Sequence, residues 1–394
     1  MDRIDDHFSK MRILDISLVA RPDRFDAIHV HTYSLAGCLN SLGSKIVLVV
    51  GGDINGSFIH NEYQVMVSRF KTFSGNENFF TILYYFLFNN LSLFFSLVRK
   101  TDYDIIYERH SPGLYAGLLL SRIRRVPLIY EVNGIMDEEL FIDFGIKNRL
   151  FKRMITGILK FQLARSSGVI VQTEELKKII EKKFGIKDIY IVENGTEIRD
   201  AAFREDPEKI RLTYVGVLDK HHDLEDVFQA VLSVESDFEF KIIGDGNMLE
   251  RYKKDYGKDN RIIFMGQLDH EKAMEFIEAT DICIAAYGLR FPMFKKYGFY
   301  FCPLKILEYL SFGKPVIHYG LSNSFIRMIE DENGICSVQS IDALSAAIER
   351  LISDKNKRIS MSRCAKEVSL RFTWDKAGKK TYRILRDTIE AYKK

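Results

Sequence analysis

Short apolar runs, each closed by a glycine or a polar turn and followed by a segment of helical length, recur along this chain. They limit it to few folds. Arg12–Val19, Lys45–Val50 (closing on Gly51-Gly52), Glu62–Ser68, Asp104–Glu108, Pro127–Glu131, Gly168–Gln172 and Ile189–Val192 read as strands. Ala27–Leu42, Phe79–Val98, Pro112–Arg124, Asn148–Arg165 and Glu174–Lys183 read as the helices between them, with Gly43 placed as a C-terminal stop. The strand runs are continuously apolar rather than alternating. Each strand is therefore buried on both faces, which implies a parallel sheet with helices on both sides.

The pattern restarts after the polar stretch Glu197–Lys209. Arg211–Val215, Phe238–Ile243, Ile262–Met265, Ile282–Ala285 and Pro315–His318 are further strands. Asp223–Val234, Asn247–Tyr256, His270–Ala279, Pro303–Phe312 and Ile341–Ser353 are the helices among and after them. A chain of 394 residues also exceeds what one core usually accommodates. The expectation is an α/β protein with two Rossmann-like domains, residues 1–198 and 199–372, and a last helix within 373–394 crossing back to the first. Open α/β sheets bind ligands outside the carboxyl ends of their strands, so residues that follow strands are the candidates for chemistry.

Bulk properties narrow the classes. A net charge of +3 and the lack of a long Lys/Arg run argue against nucleic acid as a partner. The five cysteines are scattered and form no CxxC pair, which argues against a disulfide framework or a zinc cluster and for a reducing, cytoplasmic compartment. No secretory signal is evident before the first strand, and the first ten residues read as an extension. Phe79–Val98 approaches the length needed to span a bilayer, about 20 apolar residues. Asn89-Asn90 at its centre makes a span costly. A helix buried between layers and an interfacial helix touching lipid are both compatible with it.

The segment Pro303-Leu304-Lys305-Ile306-Leu307-Glu308-Tyr309-Leu310-Ser311-Phe312-Gly313-Lys314-Pro315-Val316-Ile317 carries the clearest chemical signal. Pro303 suits the first helical position and Gly313 the stop. Leu304, Leu307 and Leu310 form an apolar stripe toward the sheet. Lys305 and Glu308, three apart, share another face near the helix N-terminus. A helix N-terminus with a lysine in its first turn suits a diphosphate, and a carboxylate one turn on can accept from a ribose diol. An exposed Lys–Glu pair has the same spacing, so on spacing alone both readings stand.

This segment resembles the P-x-K-x-x-E-Y-x-x-x-G-K-P-V-I motif of glycosyltransferase family 4, the group 1 glycosyl transferases. Five weaker segments resemble the family in its order: Ile191–Gly195, Leu212–Gly216, Ile242–Gly246, Ile263–Gly266 and Asp281–Ala286. The resemblance implies a GT-B fold, two Rossmann-like domains facing each other across a crevice. It further implies a retaining, metal-independent transfer of a sugar from a UDP- or GDP-linked donor to a glycan or lipid-linked acceptor in surface-glycan or polysaccharide synthesis. It gives Glu308 the donor ribose and Lys305 the diphosphate. Gly216, Lys220, His221, Gly244, Gly246, Gly266, Arg290, Tyr300, Pro303 and Leu304 fall on the donor side. In the first half Asn133 joins Glu308 and Lys305 as a catalytic candidate, with Glu108, His110 and Glu138 on the acceptor side. Peripheral membrane contact would run through 79–98, at the inner face of the membrane.

The departures are specific. Tyr300 stands where many relatives carry a glutamate eight positions before Glu308. Val217 replaces an arginine, and Asn133 a histidine. Arg290, Lys295 and Lys296 are the candidate replacement cations. Two other functions fit the same fold: a nucleotide-sugar epimerase, which needs no acceptor, and a non-catalytic scaffold that binds a nucleotide sugar or glycan. Oligomeric state is not readable from these features.

Overall fold

The computed structural model describes residues 10–394 apart from 24–25, 54, 70–78, 99–101, 112, 144, 146, 200, 202, 205–206, 220–221, 223 and 333. The chain divides into two compact units, one of residues up to Glu193 together with Trp374–Lys394, the other Asn194–Thr373.

In the first unit β1 (Arg12–Ser17), α1 (Ala27–Ser41), β2 (Lys45–Gly52), β3 (Gly56–His60), β4 (Tyr63–Arg69), α2 (Phe79–Leu97) and β5 (Ile105–Arg109) come in turn. They are followed by α3 (Ala116–Arg124), β6 (Leu128–Val132), α4 (Met136–Asp143), α5 (Arg149–Leu163), β7 (Gly168–Val171), α6 (Glu174–Phe184) and β8 (Ile189–Ile191). The sheet order is β3-β4-β2-β1-β5-β6-β7-β8. The pairs are parallel except β3–β4, which is antiparallel and corrects the expectation of a parallel sheet throughout. The cause is the two-residue turn Asn61-Glu62, whose positive φ angles of 43° and 69° make a tight hairpin. The β3 segment is largely exposed, so no apolar run marked it.

Local signals set the helix starts. Asp26, Asn148 and Thr173 cap α1, α5 and α6 by accepting from backbone amides of the first turn. Helix α3 is capped from outside. Asn90 on α2 accepts from the amides of Tyr115 and Ala116, the latter at 3.0 Å, and donates to the Gly113 carbonyl at 2.7 Å. This explains the polar pair within the aromatic helix: Asn90 stitches α2 to α3, and Asn89 is buried. No helix among the described residues is long and apolar enough to cross a membrane. Leu93 and Leu97 of α2 face inward, while Tyr84, Leu87, Leu91 and Phe95 are exposed.

The second unit comprises β9 (Ile210–Val215), α7 (Leu224–Ser233), β10 (Phe238–Ile243), α8 (Leu249–Tyr256), β11 (Ile262–Gly266), α9 (His270–Glu278) and β12 (Ile282–Ala286). Then follow α10 (Pro292–Tyr297), α11 (Leu304–Ser311), β13 (Val316–Tyr319), α12 (Ser324–Asp331), β14 (Ile335–Val338), α13 (Ile341–Ser353) and α14 (Lys355–Ser369). Its sheet is parallel in the order β11-β10-β9-β12-β13-β14, the 3-2-1-4-5-6 order of Rossmann-like folds. The order reverses between β9 and β12. Leu212, Tyr214, Phe228, Phe240, Ile284 and Ile348 form part of its core.

Helix α15 (Trp374–Lys393) completes the first unit, packed on α1. Their approach is close: a side chain at Gly378 would meet Cys38 Cβ at 2.6 Å. Elements the sequence pattern did not mark are β3, α4, α10, α12, β14 and α14.

Candidate functional site

Each strand of the second unit that borders the switch point ends in a glycine or a tyrosine. Gly216 after β9 and Gly244 after β10 have φ of 152° and 143°. Space is as restrictive as conformation. A Cβ at Gly244 would lie 1.9 Å from the Gly216 carbonyl oxygen, and one at Gly246 would lie 2.2 Å from that of Leu218. The two turns interlock through Gly216 N to Ile243 O and Leu218 N to Asp245 O, both 2.9 Å, and Gly244 N donates to Gly266 O at 2.9 Å. Gly216, Gly244, Gly246 and Gly266 are thus one connected floor of backbone.

Helix α11 rises beside that floor. Pro303 occupies its cap position rather than its first turn, and Gly313, at φ 63°, follows its end. The buried stripe is Ile306, Leu307, Tyr309 and Leu310, which corrects the expected stripe: Leu304 is only half-buried. A helix turn brings residues 306 and 309–310 onto the same side as 307 because the sheet covers a broad face, not a line. The Tyr309 hydroxyl accepts from Val215 N at 2.8 Å and so ties α11 to the end of β9.

Lys305 projects over Gly216. A Cβ there would meet Lys305 Nζ at 2.5 Å. Lys305 Nζ donates to the Tyr214 hydroxyl at 3.2 Å and stands 4.5 Å from the Tyr214 ring centroid and 5.3 Å from that of Tyr287. Burial pulls its pKa down to about 8, against the opposing charges of Asp219 and Glu308. Glu308 shares the environment. Burial raises its carboxyl to about 7, although Arg199 and Lys305 act to lower it. Among the described residues its carboxylate accepts no hydrogen bond. A half-buried cation and a half-buried carboxylate near the switch point can hold a charged phosphate and a vicinal diol.

Sequence reasoning missed the surroundings of this pair. Tyr214, Tyr287, Asp219 and His222 all belong to it. His222 bonds Asp219 at 2.7 Å and lies 5.9 Å from the Tyr287 ring. The signal available was parity: Tyr214 precedes the Gly216 turn by two residues.

Other donor-side candidates lie differently. Lys220 and His221 are outside the described residues. Arg290 donates to Asp226 of α7 at 2.8 Å, and Asp226 also accepts from Tyr319. Tyr300 is fully buried, its ring 4.5 Å from Phe301 and 5.9 Å from Phe294. An aromatic cluster thus takes it up, because a neutral ring there packs where a carboxylate would need solvation. Val217 is exposed at the β9 turn.

In the first unit, register sorts the candidates by face. Asp15 pairs with Tyr107 and Arg109 with Glu131, forming one row; Ile16, Glu108 and Tyr130 form the row behind. The front row is a charged network. Glu131 accepts from Tyr107 and Asn133, and is 2.8 Å from His31 Nε2 and 3.5 Å from Arg109. Burial pushes the Glu131 carboxyl up, but His31, Arg109 and Tyr107 outweigh it and hold it below the usual carboxylate range. Burial and the neighbouring Glu131 raise Asp15. A small cavity beside this network is lined by His31, Tyr107, Glu131, Gln172, Trp374 and Thr381, among others. Asn133 reaches the network, and among the described residues its Oδ1 has no hydrogen-bond partner.

Glu108 and His110 do not reach it, which corrects their expected acceptor-side placement. The pleat turns them to the opposite face. Glu108 is completely buried under α3, against Gly117: a Cβ there would lie 1.7 Å from its Oε2, so a side chain at 117 would displace the carboxyl. Among the described residues neither of its oxygens has a hydrogen-bond partner, and burial raises its pKa well above the usual range. His110 packs 4.9 Å from the Tyr130 ring, with its pKa pulled down to about 4 by burial. Glu138 binds Lys183 at 2.9 Å, so it anchors α4 to α6.

Comparison with known proteins covers both units. The family "Glycosyl transferases group 1" matches residues 196–368, and "Glycosyltransferase Family 4" matches residues 28–200. An uncharacterised glycosyltransferase of Methanocaldococcus jannaschii is 28% identical over 328 residues, 78% of this chain and 79% of that protein. Sucrose-phosphate synthase of Thermosynechococcus elongatus superposes with a TM-score of 0.76 at 15% identity, covering 97% of this chain and 100% of that one. Anabaena HepE in complex with UDP-glucose gives 0.69 at 15% identity, with 97% and 100% covered.

Proposed function

Since the chain belongs to the group 1 glycosyltransferases and has their GT-B fold, we propose that it moves a sugar from a UDP- or GDP-linked donor to a glycan or lipid-linked acceptor, with retention of configuration. The observation that carries the donor assignment is Lys305 over the Gly216 turn, at the switch point of the second sheet. The UDP-glucose complex of Anabaena HepE supports the same substrate class.

In this reading Lys305 and the amides at the start of α11 take the diphosphate, and Glu308 accepts from the ribose hydroxyls. Phosphate charge grows as the anomeric carbon–oxygen bond breaks. A preformed cation in a partly desolvated site then favours the transition state over the ground state. The acceptor oxygen bonds to the anomeric carbon on the face the diphosphate leaves, and the acceptor proton passes to the departing phosphate oxygen. This route requires no protein base and no metal ion. Asn133, whose Oδ1 has no hydrogen-bond partner among the described residues, would orient a sugar hydroxyl.

The test is hydrolysis and transfer with a panel of UDP- and GDP-sugars. Wild type should release the nucleoside diphosphate from one donor, and Glu308→Ala should cut kcat/KM at least 100-fold while keeping its fold, a loss of about 2.7 kcal/mol. Full activity in Glu308→Ala would sink the assignment. Interconversion of free nucleotide sugars without an acceptor would indicate epimerisation instead.

A further inference from the structure

Nine of the seventeen large apolar side chains exposed among the described residues stand on α2, α3 and α5. These helices precede β5, β6 and β7, which are successive neighbours in one direction across the sheet, so right-handed crossovers lay them side by side on one face. Their ends are tied together. Arg124 donates to the Val98 carbonyl beyond α2, and Arg122 donates to the Arg165 carbonyl beyond α5 at 3.1 Å.

The outward side of α5 has a distinct composition. Its exposed positions run Arg149-Leu150, Arg153-Met154, Gly157, Lys160-Phe161 and Ala164-Arg165. Cationic and apolar residues alternate along it. Leu150 is 77% exposed, and on α2 Phe95 is 68% exposed. Leu119, Arg122, Ile123, Arg124 and Arg125 continue the pattern on and just beyond α3. No aspartate or glutamate occurs in α2, α3 or α5. Arg149, Arg153, Lys160 and Arg165 form no ion pair among the described residues. A contiguous apolar patch of this kind marks an interaction surface, and uncompensated cations along it specify an anionic partner.

We propose that this three-helix face docks on an anionic lipid bilayer, with the apolar side chains of α2, α3 and α5 entering the acyl boundary and the flanking Arg and Lys heads meeting lipid phosphates. The face is broader than α2 alone, and α5 supplies the charge that α2 lacks. The inference does not depend on the donor assignment, since it concerns only the first unit. It places the catalyst at a membrane, where a lipid-linked acceptor would lie.

Flotation of the full chain with phosphatidylcholine vesicles, with and without about 30% phosphatidylglycerol, tests it. Wild type should float with the anionic vesicles and largely detach in high salt. Leu150→Ser/Met154→Ser/Phe161→Ser should lower the bound fraction about ten-fold. Arg149→Gln/Arg153→Gln/Lys160→Gln/Arg165→Gln should remove the preference for anionic vesicles. Circular dichroism and UDP binding in solution should stay at wild-type levels in both variants, because every changed side chain is exposed. No flotation of wild type, or wild-type flotation of both variants, overturns the proposal. So does a concentration-dependent dimer that the apolar variant abolishes while wild type ignores vesicles; that result would give the face to a second copy of the chain.

Discussion

The charge on Lys305 should make nucleotide binding fall at alkaline pH, and Lys305→Met should remove that dependence. Burial holds the ammonium pKa near 8, while Asp219 and Glu308 act to raise it. At pH 7 about ten in eleven molecules carry the charge; at pH 9 about one in eleven do. If the diphosphate binds the charged form, the dissociation constant for UDP rises about ten-fold over that interval. The terminal phosphate of the ligand adds little to this limb, because with a second pKa of about 6 it is already mostly ionised at pH 7. Removing the charge should cost about 2–4 kcal/mol at pH 7, roughly 30- to 1,000-fold in affinity. Binding in Lys305→Met should then lose this ten-fold fall, leaving only the limb near pH 7 that the raised Glu308 carboxyl contributes. Isothermal titration calorimetry with UDP and GDP at pH 7, 8 and 9 and constant ionic strength measures both effects. A wild-type affinity that does not change with pH, or a Lys305→Met variant with the wild-type slope, would refute the reasoning.

Three further outcomes test the scaffold. Asn90→Ala removes the acceptor for two α3 amides and should lower stability by about 1–3 kcal/mol, read as a drop in Tm. Gly244→Ala forces a Cβ against the Gly216 carbonyl at φ 143° and should destabilise by about 3 kcal/mol in urea unfolding, with loss of UDP binding in the surviving fold. Burial raises the Glu108 carboxyl above its unfolded value, so above the unfolded pKa stability falls as pH rises toward the raised folded pKa. Glu108→Gln should abolish that contribution, about 1.4 kcal/mol per pH unit, gaining stability at pH 7 and little at pH 4. Equal Tm differences at both pH values would contradict it.

Both the donor helix and the architecture were legible along the chain. Continuous apolar runs separated by helices specify a parallel α/β sheet, because backbone hydrogen bonds must be made and both strand faces covered. The Pro303–Gly313 punctuation marked α11, since proline and glycine act through their own backbones and need no tertiary partner. Lys305 and Glu308 were found by spacing because a helical turn fixes their relation locally. Tyr214, Asp219 and His222 at the end of β9 and Tyr287 after β12 were not found, because only the sheet brings these two strand ends together beside Lys305. The same limit governs the first unit. Which of Tyr107 and Glu108 faces the Glu131 network depends on which side of the pleat α1 and α15 cover, and α15 comes more than 260 residues later in the chain. The aromatic helix shows the division most clearly. Its composition declared an apolar element with two amides that fit neither a span nor a simple core. Only the neighbouring start of α3, three-dimensionally adjacent and in need of acceptors for its free amides, decides why Asn90 is there.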